Sequence, residues 1–291
     1  MIEFINVNKK FGEKLVLHDL NLTIQEGSIV GLVGANGSGK STILRLLSGV
    51  MLADAGVVRV DNQEVYDNDL IKQEIFFLAD DPYFFSQSTI LDMKRFYKIF
   101  YKNFSDDLFE TLLADFKLDV NAKINSFSKG MKRQVSVILA LSCQAKILLL
   151  DEAFDGLDPL MRFKLRQYIT DKTYENNSIV VISSHNLREL EDICDTIAII
   201  DNHQLKMNHS TQEYLDLYHR YQLAFQEPVD PQVFQELNPI HVSGKSQLFT
   251  LILKGDKEIL DEKIAGLKPI INERSNVSLE EIYVYELEDK Q

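Results

Sequence analysis

Short apolar runs separated by turn residues fill the first 33 positions. Ile2, Phe4, Ile5 and Val7 recur like a strand, residues 15–24 and 28–33 form two further runs, and Gly12 and Gly27 punctuate them, so three strands are predicted. Residues 34–42 are glycine-rich, and residues 41–50 place Ile43, Leu44, Leu46 and Leu47 at helical spacing before Gly49, which reads as a loop entering a helix. Residues 57–60 and 74–78 look like strands. Helical periodicity then takes over at 89–101, 105–116 and 129–143, with a Ser or Thr at or before each head.

From residue 146 strand and helix alternate again: strands at 146–150, 178–183 and 196–200 enclose helices at 159–174 and 186–194. Such alternation predicts a buried parallel sheet. From about Ser210 the pattern changes to a helix, a stretch punctuated by Pro228, Pro231 and Pro239, a strand at 246–253 and a helix at 256–265. The expected organisation is a main domain over residues 1–205, with a helical subdomain at about 86–145, and a small accessory α/β domain over 206–291. Neither an internal repeat nor a low-complexity segment is present.

A length of 291 residues suits one large domain or a main domain with a small companion. Asp and Glu number 44 against 31 Lys and Arg, a net charge of −13, which argues against a nucleic-acid partner needing a broad basic face. The longest apolar stretches, such as 134–145, fall short of the roughly 18–20 residues of a membrane-spanning helix, so this chain is not expected to cross a bilayer alone. The opening segment reads as a strand rather than as a signal peptide's apolar core, which suggests a cytosolic start. Cys143 and Cys194 sit in apolar helical patterns without metal-ligand spacing and read as core thiols in a reducing compartment.

Gly34-Ala35-Asn36-Gly37-Ser38-Gly39-Lys40-Ser41 fits G-x-x-x-x-G-K-[ST], with a predicted strand before it and the helix at 41–50 after it, and Gly34, Asn36, Gly37, Ser38, Gly39, Lys40, Ser41 and Thr42 are the candidate nucleotide-binding residues. Glycines let backbone N–H groups turn inward around a phosphate. The helix N-terminus adds its positive end, Lys40 can reach β- and γ-phosphate oxygens, and Ser41 offers a hydroxyl to Mg²⁺. The apolar run Ile147-Leu148-Leu149-Leu150 ends in Asp151 and Glu152, at the strand edge where α/β sheets hold ligands. Asp151 is expected to act on Mg²⁺ and Glu152 to orient or deprotonate an attacking water.

Together with these motifs, Asn125-Ser126-Phe127-Ser128-Lys129-Gly130-Met131-Lys132-Arg133-Gln134 and Asp155-Gly156-Leu157-Asp158 make residues 1–205 resemble the ATPase subunit of an ATP-binding cassette (ABC) transporter. The fold the resemblance implies is a P-loop NTPase cassette: a mixed-sheet α/β core, an N-terminal antiparallel β region and a helical subdomain, followed here by the small C-terminal α/β domain. The first motif is similar to the family signature, with Ser128 and Gly130 at its key positions, and would serve the ATP of an opposing subunit. Asp158 matches the aspartate that meets the partner subunit, and it equally fits a helix N-cap before Pro159. His185, in Ser183-Ser184-His185, matches the family's switch histidine. Phe11, 23 residues before Gly34, matches the aromatic stacked on adenine, and it equally suits a core position.

This chain departs from the family where a glutamine is usual: the stretch reads Leu78-Ala79-Asp80-Asp81-Pro82, with Asp80 at the glutamine's place. Asp80 is then a candidate Mg²⁺ oxygen ligand in a coupling loop, or a turn residue before Pro82. Ala153 and Phe154 replace a proline and a small residue after the glutamate. The resemblance implies an active ATPase using ATP and Mg²⁺, paired head-to-tail with a second cassette and with a separate integral-membrane permease, on the cytoplasmic side of the membrane. The Ser-Lys-Gly-Met signature form and Ser278-Leu279-Glu280-Glu281-Ile282 near the end resemble ABC-2-type exporter ATPases of Gram-positive bacteria, some of which export peptides, lipids or drugs. The alternatives are an ABC ATPase of DNA or ribosome metabolism, which would carry a coiled coil, zinc or two cassettes, and a regulatory cassette, disfavoured by Lys40, Glu152 and His185. The acidic residues Glu280, Glu281, Glu286, Glu288 and Asp289 are expected to form a solvated face.

Overall fold

The computed structural model describes residues 1–288, and the chain divides into two compact units, Met1–Asn208 and His209–Gln291. In the first unit, strands Ile2–Phe11 and Lys14–Ile24 form an antiparallel pair running from Ile2↔Ile24 to Phe11↔Lys14. Ala55–Val60 and Gln63–Glu64 extend that sheet antiparallel on the other side. The larger sheet has six strands in the order Gln204–Ser210, Thr196–Asp201, Ile29–Val33, Ile179–Ser183, Ile147–Asp151, Ile75–Leu78. Its last five strands are parallel, as the alternation predicts.

Ile29–Val33, Ile147–Asp151 and Ile179–Ser183 are buried at every position, which explains their continuous apolar runs. Their register aligns Leu32 with Ser183 and Ser183 with Asp151, so the three strands deliver their C-terminal ends to one edge of the sheet. Core contacts then lock helix Lys40–Leu47 in place, with Ile43, Leu44, Leu46 and Leu47 all buried.

The helical stretch is built by side-chain caps. Thr89 forms a capping box with Asp92 at the head of Ile90–Phe100, and Ser105 accepts from the Leu108 amide at the head of Asp106–Phe116. At the head of Lys129–Ser142 the Ser128 hydroxyl accepts from the Met131 amide at 3.2 Å. Asp158 does the same for Pro159–Asn176, accepting from Met161 at 3.0 Å, with Pro159 in the first helical turn. Cys143 and Cys194 are buried thiols, and burial pushes the pKa of both up.

In the second unit the strand expected at 246–253 is Leu248–Lys254, and Tyr218–Ala224, His241–Lys245 and Ile271–Asn276 are strands the periodicity did not reveal. In chain order, Tyr218–Ala224, His241–Lys245, Leu248–Lys254 and Ile271–Asn276 form an antiparallel sheet in the order second, third, first, fourth. With the 3₁₀ segment Pro231–Leu237 and helix Lys257–Gly266 in the two connections, this is a β-α-β-β-α-β, ferredoxin-like arrangement. Ile271–Asn276 is exposed throughout and pairs through its backbone with Tyr218–Ala224, and it carries no apolar alternation to read. The helix expected from Ser210 shrinks to Thr211–Leu215 because Tyr218, Tyr221 and Leu223 are drawn into the sheet.

Glu281 corrects the expectation of a solvated acidic face. It pairs with Arg220 and accepts from the Ser278 hydroxyl at 2.9 Å, closing the start of helix Leu279–Glu288. Asp289 lies outside the described residues, as do the side chains of Glu286 and Glu288.

Candidate nucleotide site

The loop after Ile29–Val33 depends on glycine at chosen points. Gly37 and Gly39 have φ of 81° and 116°, and a Cβ on Gly34 would sit 2.5 Å from the Ile200 carbonyl oxygen and 2.4 Å from Ser38 Oγ. Gly39 is the N-cap of Lys40–Leu47 and brings no side chain to cap the first-turn amides. The Lys40 ammonium is folded back on the loop, donating to the Gly34 carbonyl at 2.7 Å and the Ala35 carbonyl at 3.3 Å. Burial lowers its pKa, and the nearby Glu152 and Asp151 carboxylates oppose that fall. Ser38 Oγ is buried without a hydrogen-bond partner. An orphaned hydroxyl, uncapped amides and an ammonium bonded to carbonyls alone form the donor set a polyphosphate accepts from.

Asp151 lies just behind the loop, 3% exposed. Its Oδ1 accepts from the Ser41 hydroxyl at 3.1 Å and from the Ser183 hydroxyl of the adjacent strand. These hard oxygens suit a divalent cation such as Mg²⁺.

Glu152 turns the chain away from the strand with φ of 51°, a left-handed conformation unusual for a residue with a side chain. Its amide donates to the Ser183 carbonyl at 3.1 Å, and its carboxylate accepts from the His185 amide at 3.3 Å and from His185 Nδ1 at 2.8 Å. The Glu152 hydrogen bond raises the pKa of His185 above its ordinary value. Glu152, Asp155 and His185 each bring a ligand-type atom within 4.8 Å of the others.

Most of these groups face one cavity of about 580 Å³. Phe11, Asn36, Gly37, Gly39, Lys40, Ser41, Thr42, Asp80, Glu152 and His185 line it, together with Lys14, Val16 and Asp155, to which the sequence reading gave no role. Gly34, Ser38 and Asp151 stand outside the lining and shape the loop. Ser128, Gly130 and Asp158 are also absent from the lining and occupy helix heads. Gly130 abuts the turn at Gly156, whose carbonyl oxygen a Cβ at residue 130 would approach to 2.6 Å.

Asp80, expected as a Mg²⁺ oxygen ligand or a turn residue, has in addition a partner that the sequence did not suggest. Its Oδ1 is the counter-ion of Arg133, at 2.9 Å, and the same guanidinium takes the Ala79 carbonyl at 3.0 Å and the Asp80 carbonyl. Sequence reasoning also missed a partly buried network behind His185: Arg162 donates to the Leu157 carbonyl at 2.9 Å and pairs with the buried Glu189, which accepts from Ser184 Oγ at 3.2 Å. Burial raises the Glu189 pKa. Charged residues at helical spacing read as solvated from sequence, and only packing shows that Arg133 and Glu189, one member of each pair, are buried.

A strand, glycine loop and helix of the kind that cradles phosphate, beside a strand that ends in an acidic pair, define a P-loop nucleoside triphosphatase. A family model described as ABC transporter matches residues 17–155. The chain is 28% identical over 284 residues to ABC transporter ATP-binding protein YtrB of Bacillus subtilis, covering 98% of this chain and 97% of that protein. It is 33% identical over 217 residues to methionine import ATP-binding protein MetN of Clostridium tetani, covering 70% of this chain and 68% of that one. Among solved structures, the dimeric post-hydrolysis state of the ATP-binding cassette MJ0796 bound to ADP and Pi superposes with a TM-score of 0.65 at 25% identity, over 72% of this chain and 99% of that one. The chain belongs to the ABC transporter ATP-binding proteins: it is the ATPase subunit type of that family, and it uses ATP and Mg²⁺.

The pairing of Glu152 with protonated His185 has a defined pH signature. A raised folded pKa stabilises the fold fully below about pH 6.5, the unfolded value, and that contribution is lost as pH rises through the folded value. Glu152→Gln should return the His185 pKa toward its ordinary value, read by NMR titration of the imidazole protons. An unchanged titration curve would show that the pair does not set the histidine's charge.

Proposed function

We propose that the cavity takes ATP with its phosphates on residues 34–42 and its adenine against Phe11, and that hydrolysis there powers a separate membrane-spanning permease of an exporter. The observation carrying this reading is one cavity walled by the phosphate loop and by the Glu152–His185 pair. Lys40 neutralises β- and γ-phosphate oxygens, while Ser41 and Asp151 hold Mg²⁺. When bound, the metal offsets charge on the phosphate oxygens. Glu152 takes a proton from the attacking water, and His185, fixed through Nδ1, meets the γ-phosphate. Phe11 is 48% exposed, so a ring face is available for stacking.

Ser128, Gly130 and Asp158 lie away from this cavity, which supports their use on the nucleotide of an opposing cassette in a head-to-tail pair. In this reading residues 1–205 are the ATPase, with 86–145 its helical arm, and 206–291 an accessory domain. A groove of about 400 Å³ lined by Phe76, Tyr83, Phe85, Met93, Phe96 and Tyr97, with Tyr83 well exposed, supports a permease docked on the helical arm at the cytoplasmic membrane face. Among the described residues no helix is long and apolar enough to cross a membrane. The exporter direction rests on the Ser128-Lys129-Gly130-Met131 signature form, and peptides, lipids or drugs are the substrate classes it suggests.

Lys40→Ala should weaken ATP binding about tenfold or more in a calorimetric titration, because the cavity's buried cation is lost. Unchanged affinity would remove the phosphate-site assignment. Glu152→Gln should retain ATP binding yet lower turnover about 100-fold or more, since the amide keeps the shape without the basicity. Near-normal steady-state hydrolysis would deny Glu152 that role. In inside-out vesicles carrying the permease, ATP supplied on the cassette side should drive substrate into the lumen, the direction of export. Substrate leaving the lumen instead would identify an importer.

A further inference from the structure

We infer that Arg133 is a positioning residue that tethers the cavity wall at Asp80 to the head of helix Lys129–Ser142, so that nucleotide in the cavity is felt at Ser128 and Gly130. The inference rests on reading the cavity as the ATP site. Arg133 is 2% exposed, the largest of the fully buried side chains. A guanidinium survives such burial only when its charge is matched and its donors are filled. Here all three acceptors belong to one dipeptide: the Ala79 carbonyl, the Asp80 carbonyl and Asp80 Oδ1. The fork is planar and rigid, so the dipeptide cannot shift without carrying the arginine along.

The two ends of this tether stand at the two halves of the proposed chemistry. Asp80 lines the nucleotide cavity, and its side chain remains 57% exposed despite the bond to Arg133. Arg133 lies near the first turn of its helix. That turn is capped by Ser128, with Lys132 N donating to the Ser128 carbonyl at 2.9 Å, so the residue and the helix head move as one body. The head in turn touches the 155–158 turn through Gly130 and Gly156. A polyphosphate entering the cavity repels the Asp80 carboxylate and presses it onto the guanidinium, and the helix head must follow.

The chemistry also explains why a carboxylate stands at residue 80. A glutamine there accepts the same hydrogen bond but leaves a buried cation without its counter-charge. Replacing both residues by glutamine removes the charge as well as its partner.

The test uses the full-length chain as wild type, Asp80→Gln, Arg133→Gln and the double variant, with Glu152→Gln as the slow-turnover background. Hydrogen exchange is followed at residues 34–42 and 128–133 with and without MgATP, beside steady-state kcat and KM. In the Glu152→Gln background MgATP should protect both segments, and adding Asp80→Gln should abolish protection of 128–133 while leaving 34–42 protected. On the wild-type background Asp80→Gln should lower kcat about tenfold with KM within about twofold, and the double variant should be no worse than the more damaged single variant. Asp80 is largely exposed, so its variant is expected to fold even if Arg133→Gln does not.

Protection of 34–42 with 128–133 indifferent to ATP, or equal protection of 128–133 in Asp80→Gln, overturns the tether while sparing the nucleotide site. Protection of neither segment overturns both. A lowered melting temperature with unchanged kcat reduces Arg133 to a structural role and also overturns it. So does an Asp80→Gln defect fully repaired by excess Mg²⁺, which would make Asp80 a metal ligand.

Discussion

The carboxylate of Asp151 is the point on which the site depends. It is almost fully enclosed, and a buried charge is tolerated only when its oxygens are satisfied. The Ser41 and Ser183 hydroxyls both donate to the same oxygen, so the phosphate-loop helix and two neighbouring strands are joined at one atom. That junction exists because the parallel register brings Leu32, Ser183 and Asp151 level at one sheet edge. A one-residue slip of any of the three strands would send its side chains to the opposite face and scatter the donors.

Around that point the molecule encloses several further charges and pairs each of them. Lys40 rests on loop carbonyls, Arg133 on Asp80, and Glu189 on Arg162 and Ser184. Removing one partner of such a pair is far more damaging than removing both, so each pair constrains the backbone that carries it. These pairs bind together the loops that end the strands: residues 79–80 to the helix at 129–142, and the 155–158 turn to the His185 segment. Backbone strain at Glu152 belongs to the same design, since its left-handed conformation swings the carboxylate from the end of a buried strand onto His185.

Much of this was legible in the chain. The phosphate loop, the parallel strands and the capped helices announce themselves because glycine, continuous apolar runs and Ser or Asp at helix heads each have a local physical cause. Legibility fails where the cause is not local. Ile271–Asn276 is an exposed edge strand with no apolar alternation, and Tyr218–Ala224 is a strand because it pairs with Leu248–Lys254 on one side and Ile271–Asn276 on the other. Asp80 looked like a metal ligand or a turn residue because the guanidinium that takes its carboxylate is 53 positions away. Glu281 looked solvated for the same reason, its partner Arg220 lying 61 positions earlier.

The sequence by itself determined the order of elements in the cassette, the phosphate loop with Lys40 and Ser41, and the acidic pair Asp151 and Glu152, because these follow from side-chain periodicity and from what glycine alone permits. Tertiary structure decided which charges face one another: Glu152 with His185, Asp80 with Arg133, Arg162 with Glu189. It also decided that Ser128, Gly130 and Asp158 stand apart from the cavity their own chain encloses. A charge's partner is chosen by the packing of strands and helices distant in sequence, and no local pattern encodes that choice.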